Sequence, residues 1–315
     1  MKIIKLFHCC VVFFTVLFIT NCATYNPTNV YEGIEILSFN QTRGYEFRNP
    51  TSSKLLIILE GSSWNSSLGR QKNNRWYDVG MASQLIPLLR DRYTIFIPER
   101  FDREPGENYF NNFNDRARYT FDNVLISYKE SITTYLTQNE FDSIVIFSAS
   151  EGAFAMPILY SYINDTIANT NITLLISLAG GGLSPREGNY IFANAKNTPR
   201  AYRSLYEILV EEYKTKPYPD SLEIGYFGAP YRFWSSLIDV RPFDYYKDIN
   251  IPVLFLHGER DIRVTVESTR YVEKNLPHKP FEYIYYPRMG HSPSNRREVI
   301  RLHKDIANWI IKNDS

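Results

Sequence analysis

From residue 34 onward, short apolar runs rich in β-branched residues alternate with longer stretches of helical periodicity. This is the pattern of a mostly parallel sheet covered by helices, an α/β architecture. The runs predict strands over Ile34 to Phe39, Gly44 to Phe47, Leu55 to Leu59, Tyr93 to Ile97, Ser143 to Phe147, Ile172 to Leu178, Val253 to His257 and Phe281 to Tyr286. The first two lie close enough together to form an antiparallel hairpin. Runs such as LLIIL and IVIF lack polar alternation, as strands buried on both faces do. The intervening stretches predict helices over Asp78 to Arg90, Arg116 to Gln138, Gly152 to Ile163, Tyr202 to Tyr213, Val266 to Asn275 and Arg297 to Lys312.

No internal repeat of about 20 to 50 residues and no low-complexity linker breaks this series. The body, residues 22 to 315, therefore reads as one domain of catalytic size carrying an insertion at about residues 183 to 247, between the sixth and seventh parallel-type strand runs. The insertion is rich in Tyr, Phe and Arg, a composition suited to a cap over a pocket; its plainer alternative is a set of long loops packed on the sheet rim. It follows Gly180-Gly181-Gly182, which lets the chain leave the sheet abruptly. Tyr231 and Phe233, in the aromatic segment GYFGAPYRFW, are the expected substrate-contacting residues.

The first 21 residues have a different character. Lys2 and Lys5 precede an apolar run from Cys9 to Ile19, shorter than the roughly 20 residues a membrane-crossing helix needs, so a secretory signal is expected. Ile19-Thr20-Asn21-Cys22 resembles a bacterial lipobox, in which the cysteine becomes the lipidated first residue, although Asn21 departs from the usual Gly, Ala or Ser. The expectation is an exported protein held on a bacterial membrane through Cys22; simple cleavage to a secreted or periplasmic protein and an uncleaved anchor stay open.

Charge and cysteine usage remove several functional classes. The chain of 315 residues has 35 Lys+Arg against 34 Asp+Glu, a formal net charge of +1, without the excess of positive charge that a nucleic-acid partner calls for. All three cysteines, Cys9, Cys10 and Cys22, lie in the leader region, which excludes disulfide scaffolding and thiolate metal sites from the body. With no HExxH pair and no His-rich tract, neither a metal nor an organic cofactor is expected.

The chemistry concentrates in SIVIFSASEGAFAMP, residues 143 to 157, where a buried-strand pattern runs straight into a helical one. A nucleophile on so tight a turn needs small residues two before and two after it. Ser148 and Gly152 meet that need around Ser150, although serine stands where the GxSxG pattern has its first glycine. A serine hydroxyl needs a base oriented by an acid, and on this kind of sheet these follow in the order acid, then histidine, each after a later strand. IPVLFLHGERDIRV supplies Asp261, with Glu259 as its rival, and FEYIYYPRMGHSPSN supplies His291; His257 is expected to be structural. Taken singly, Ser150 could be a helix cap, Asp261 a turn former and His291 an ordinary loop histidine.

In these stretches the chain resembles the α/β-hydrolase superfamily, particularly its esterase and prolyl-oligopeptidase-like branches, where an HGxxDxxV segment carries the acid and a GH pair the base. The resemblance spans roughly residues 54 to 312 in element order, with three specific stretches. It implies the α/β-hydrolase fold and an oxyanion hole made by the backbone N–H groups of Glu151 and Ser62. Glu60 occupies the position where many relatives have histidine, and a carboxylate there would oppose an oxyanion unless paired or turned away. The implied activity is cleavage of a small-molecule acyl ester through an acyl-enzyme on Ser150. Amide cleavage, acyl transfer and a non-catalytic binding role on the same fold are its rivals.

Overall fold

The computed structural model describes residues 31–63, 65–72, 75–77, 80–101, 103–106, 113–194 and 229–314. All eight expected strands form. They are β1 (Glu35–Phe39), β2 (Thr42–Phe47), β3 (Lys54–Leu59), β6 (Thr94–Pro98), β7 (Ser143–Ala149), β8 (Ile172–Leu178), β9 (Val253–Gly258) and β10 (Phe281–Tyr286). They make one eight-stranded sheet in the order β1-β2-β6-β3-β7-β8-β9-β10. β1 and β2 are the expected antiparallel hairpin, β2 also runs antiparallel to β6, and every other neighbouring pair is parallel. The parallel set thus has six members, and the insertion falls between its fourth and fifth, because the opening hairpin stands outside the parallel set. A small hairpin, β4 (Arg70–Lys72) with β5 (Arg75–Tyr77), lies apart from the main sheet.

The central strands are buried on both faces, which explains their missing alternation. In β3, Leu55, Ile57 and Leu59 enter one core cluster while Leu56 and Ile58 enter the other. The first cluster is closed by α3 (Phe121–Gln138) and α4 (Glu151–Thr166), through residues such as Tyr128, Ile132, Phe154 and Leu159. The second is closed by α1 (Ala82–Leu89) and α9 (Arg296–Asn313), through Leu85, Ile86, Leu302, Ile306 and Ile310. The α9 positions recur at four-residue spacing, one apolar face of a helix. At its start the Asn295 side chain accepts from the N–H groups of Arg297 and Glu298, both at 3.1 Å.

Beyond α9, Asp314 ties the end of the helix beneath the sheet. Its carboxylate accepts from the hydroxyls of Tyr93 at 2.7 Å and Thr173 at 2.8 Å, and from Ser143. The helix expected over Arg116 to Gln138 is broken in two, α2 (Phe113–Arg118) and α3, because Thr120 adopts an extended backbone and caps α3 through Asn123 N–H at 3.2 Å. α8 (Val266–Asn275) matches its expected span. Within the insertion, α5 (Pro185–Asn194), α6 (Tyr231–Leu237) and α7 (Phe243–Tyr246) are described; the helix expected over Tyr202 to Tyr213 lies outside the described residues, as does the leader with Cys22. No helix among the described residues is long and apolar enough to cross a membrane.

Candidate active site

The parallel strands end on a common edge, and the loops leaving β3, β7, β9 and β10 carry the candidate residues. β7 ends at Ala149 and α4 begins at Glu151, so Ser150 alone makes the turn. Its backbone has φ 51° and ψ −113°, a conformation an L residue holds only where its surroundings impose it, at a cost of about 1–3 kcal/mol. Ser150 N–H donates to Leu178 O at 2.9 Å, and its carbonyl accepts the first helical bonds from Ala153 and Phe154. Gly152 lets the turn sit close: a Cβ there would stand 2.4 Å from Leu59 O. Ser148, in place of the first glycine, is fully buried and donates its hydroxyl to Ile176 O at 2.7 Å.

Ser150, His291 and Asp261 come together although they are far apart in sequence. Ser150 Oγ lies 2.9 Å from His291 Nε2, and His291 Nδ1 lies 2.8 Å from Asp261 Oδ2. A carboxylate only accepts, so Nδ1 carries the proton and Nε2 is left to accept from the serine hydroxyl. Asp261 Oδ1 accepts the backbone N–H groups of Arg263 at 2.7 Å and Val264 at 3.0 Å, which fixes the carboxylate's orientation. Burial alone would raise its pKa, but His291 and His257 outweigh burial and hold the carboxyl well below the usual carboxylate range.

His257 is buried and structural in its bonding. Its Nε2 lies 2.9 Å from Val264 O, so that nitrogen carries the proton, and its Nδ1 accepts from the Thr269 hydroxyl at 2.8 Å. Glu259, the rival acid, is exposed and accepts from Arg270 at 2.9 Å, turned away from His291.

Glu60 does not face the site. Its carboxylate accepts from the N–H groups of Met81 at 3.1 Å and Ala82 at 2.7 Å, so it caps α1 from across the fold. Burial pushes the Glu60 carboxyl up, and those two bonds oppose the shift. The next residues approach the turn closely: a Cβ on Gly61 would meet Ser150 Cβ at 3.1 Å, and Ser62 lines the same cavity as Ser150, Glu151 and His291. Glu151 opens α4, where the first N–H groups lack helical acceptors.

The cavity above Ser150 has an apolar side made by Phe154, Leu183, Phe233, Trp234 and Leu237. Phe233 is therefore where the sequence suggested, buried and 4.6 Å centroid to centroid from the Tyr119 ring. Tyr231 is not in the lining: it begins α6 half-buried, and the helical turn carries Phe233, Trp234 and Leu237 to the cavity instead. Trp234 ends the aromatic segment and Leu237 follows it by three residues, but no sequence periodicity singles them out. Also unforeseen is a buried polar tract behind the Gly61 loop, formed by Glu99, Arg100, Arg103, Tyr119 and the Glu151 side chain. Its sequence signal is IPERFDR, where charges follow directly on a fully buried strand. Among the described residues, no group of three or more His, Cys, Asp or Glu is placed to hold a metal ion.

The fold as a whole has counterparts among solved structures. Est1E from Butyrivibrio proteoclasticus superposes with a TM-score of 0.60 at 14% identity, covering 90% of this chain and 99% of that one. The chain has the α/β-hydrolase fold. The same fold is shared with the acylaminoacyl peptidase of Pyrococcus horikoshii, at a TM-score of 0.57 and 13% identity over 89% of this chain and 41% of that one. Est1E has also been solved with ferulic acid bound. Among curated proteins, an uncharacterized peptidase of Bacillus subtilis, YtmA, is 38% identical over 73 residues, 22% of this hydrolase-fold chain and 27% of the relative. The matched stretch is thus about a quarter of that relative's length. No protein-family model matches the chain.

Proposed function

We propose that this chain is a serine hydrolase that cleaves carboxylic esters through an acyl-enzyme on Ser150. The observation that carries the reading is the hydrogen-bonded series Ser150–His291–Asp261, at 2.9 and 2.8 Å, built on a turn that holds the serine at φ 51°. His291 Nε2 takes the hydroxyl proton as Ser150 Oγ attacks the ester carbonyl, and Asp261 stabilises the imidazolium without accepting its proton. The N–H groups of Glu151 and Ser62 receive the oxyanion, aided by the positive end of α4. As the tetrahedral intermediate collapses, His291 gives the proton to the leaving alcohol; water then attacks the acyl-enzyme by the same route in reverse roles. The acyl or leaving group lies against the apolar wall that contains Phe233.

Esters are favoured over amides because an esterase of Pyrococcus furiosus is among the structural neighbours, and the peptidase neighbours make amides the second class to test. The leader ending in Ile19-Thr20-Asn21-Cys22 supports an exported protein whose mature chain begins at a lipidated Cys22. Acyl chains contribute about 0.8 kcal/mol per buried CH₂, so more than one would hold the body stably at a membrane. The test is hydrolysis of a panel of short-chain, long-chain and hydroxycinnamoyl esters, with matched anilides, by wild type and Ser150→Ala. Ester turnover that is lost in a folded Ser150→Ala supports the reading, and undiminished turnover in that variant overturns it.

A further inference from the structure

We infer that Arg100 is a positioning residue that holds the two N–H donors of the oxyanion hole in register with one another. The inference rests on the hydrolase reading above and concerns a side chain outside the Ser150–His291–Asp261 series. Arg100 follows β6 and is fully buried, a costly place for a guanidinium unless it is put to use. Its Nη1 donates to Gly61 O and lies 3.8 Å from Glu151 Oε1, while its Nη2 donates to Asn65 O at 3.2 Å. One planar group therefore reaches both segments that would stabilise the oxyanion.

The link to the reacting centre is peptide geometry. A trans peptide holds its C=O and N–H on opposite sides, so fixing Gly61 O toward Arg100 turns Ser62 N–H the other way. Ser62 and Ser150 both line the cavity and Arg100 does not, so in the inferred register that N–H lies on the Ser150 side. A cation on the carbonyl also polarises the peptide and makes its N–H a better donor. On the other segment the Glu151 carboxylate is held between Arg100 and the Tyr119 hydroxyl, which donates to it at 2.7 Å. This steadies the residue whose own N–H opens α4.

The neighbouring charges reinforce the arrangement. Arg103 donates to Ser63 O at 3.1 Å and Asn65 O at 3.2 Å, and Glu99 accepts Ser67 N–H at 2.6 Å. Backbone groups of four loop residues, Gly61, Ser63, Asn65 and Ser67, are thus held from behind. Donors fixed before the reaction stabilise developing charge without reorganising, which raises kcat and leaves ground-state binding alone.

The experiment uses the full chain with Arg100→Lys, which keeps the charge but loses the fork, and the double variant Arg100→Met with Glu151→Gln, which leaves no stranded carboxylate at position 151. Steady-state hydrolysis of one ester and the inhibition constant of a phenylboronic acid, a tetrahedral adduct former, are measured for each. In folded variants kcat should fall by about ten- to hundredfold with KM within twofold, and boronate affinity should weaken by the same factor. Unchanged kcat and boronate affinity overturn the inference, as does a fall in kcat with unchanged boronate affinity. If Arg100→Lys does not fold, the double variant decides alone. Ser150→Ala is run beside them: activity surviving in it overturns the hydrolase reading itself, whereas an inactive Ser150→Ala beside fully active Arg100 variants overturns only the role of Arg100.

Discussion

The Ser148 hydroxyl donates to Ile176 O at 2.7 Å, so the residue in the first glycine position of the turn is anchored to the neighbouring strand and kept off the cavity. The position requires a small side chain that satisfies itself, and serine does so. Ser148→Gly should keep ester turnover within a few-fold while losing about 1 kcal/mol of stability, from the missing bond and the freer unfolded chain. Ser148→Leu should lose both folding and activity. Urea unfolding and hydrolysis rates check both, and a fully active Ser148→Leu would contradict the steric requirement.

The requirement two residues beyond the serine is stricter. Because a Cβ on Gly152 would stand 2.4 Å from Leu59 O, Gly152→Ala must push α4 away from β3. Overpacking of this kind costs typically about 1–3 kcal/mol, and here the displaced strand leads into the Gly61 loop. Gly152→Ala is expected to lower both the unfolding midpoint and kcat. Retention of wild-type values for both would place the strain elsewhere.

Phe233 lines the cavity on one side and packs on Tyr119 on the other, with ring centroids 4.6 Å apart. Phe233→Ala should therefore shift the preference among esters of different chain length and also destabilise the fold, by roughly 3–5 kcal/mol if the site does not collapse. Tyr231→Ala should do much less to specificity, since Tyr231 is outside the lining. Specificity constants for a series of esters, read beside thermal unfolding, test the pair; equal shifts in specificity for both would contradict the assignment.

Acid sensitivity should come partly from His303. Burial lowers its pKa from 6.5 to about 4, against a weaker opposing bond to Val299 O. Between those values the unfolded chain binds a proton that the native one does not, so stability rises with pH across this window. The contribution is present above about 6.5 and lost as pH falls through about 4, an effect of up to about 3 kcal/mol. Between pH 7 and pH 4, wild type should lose more stability than His303→Leu by that order. Equal losses in urea unfolding at the two pH values would remove His303 from the account.

The sheet was legible because its strands are buried on both faces: LLIIL and IVIF have no other sensible reading, and β3 and β7 sit at the centre of the sheet. The order Ser150, Asp261, His291 was legible for a related reason, since each follows a run that becomes a parallel strand and parallel strands end on one edge. What depends on long-range pairing was not. Nothing local to Glu60 says that its carboxylate will cap α1, two elements away, through Met81 and Ala82. Nor does IPERFDR indicate that Arg100 will reach Gly61, 39 residues earlier in the chain. The break at Thr120 is a local cap hidden inside a continuous helical period, and composition cannot tell whether Tyr231 or Trp234 is on the face of α6 that meets the cavity.

The proposed nucleophile is Ser150, activated by His291. A fluorophosphonate reacts covalently only with a serine so activated, and the modified residue can be located by mass spectrometry of the digested protein. A single stoichiometric adduct is expected on Ser150, absent from Ser150→Ala and formed far more slowly by His291→Ala. An adduct on any other residue, or no adduct on a folded protein that still hydrolyses esters, would contradict this assignment.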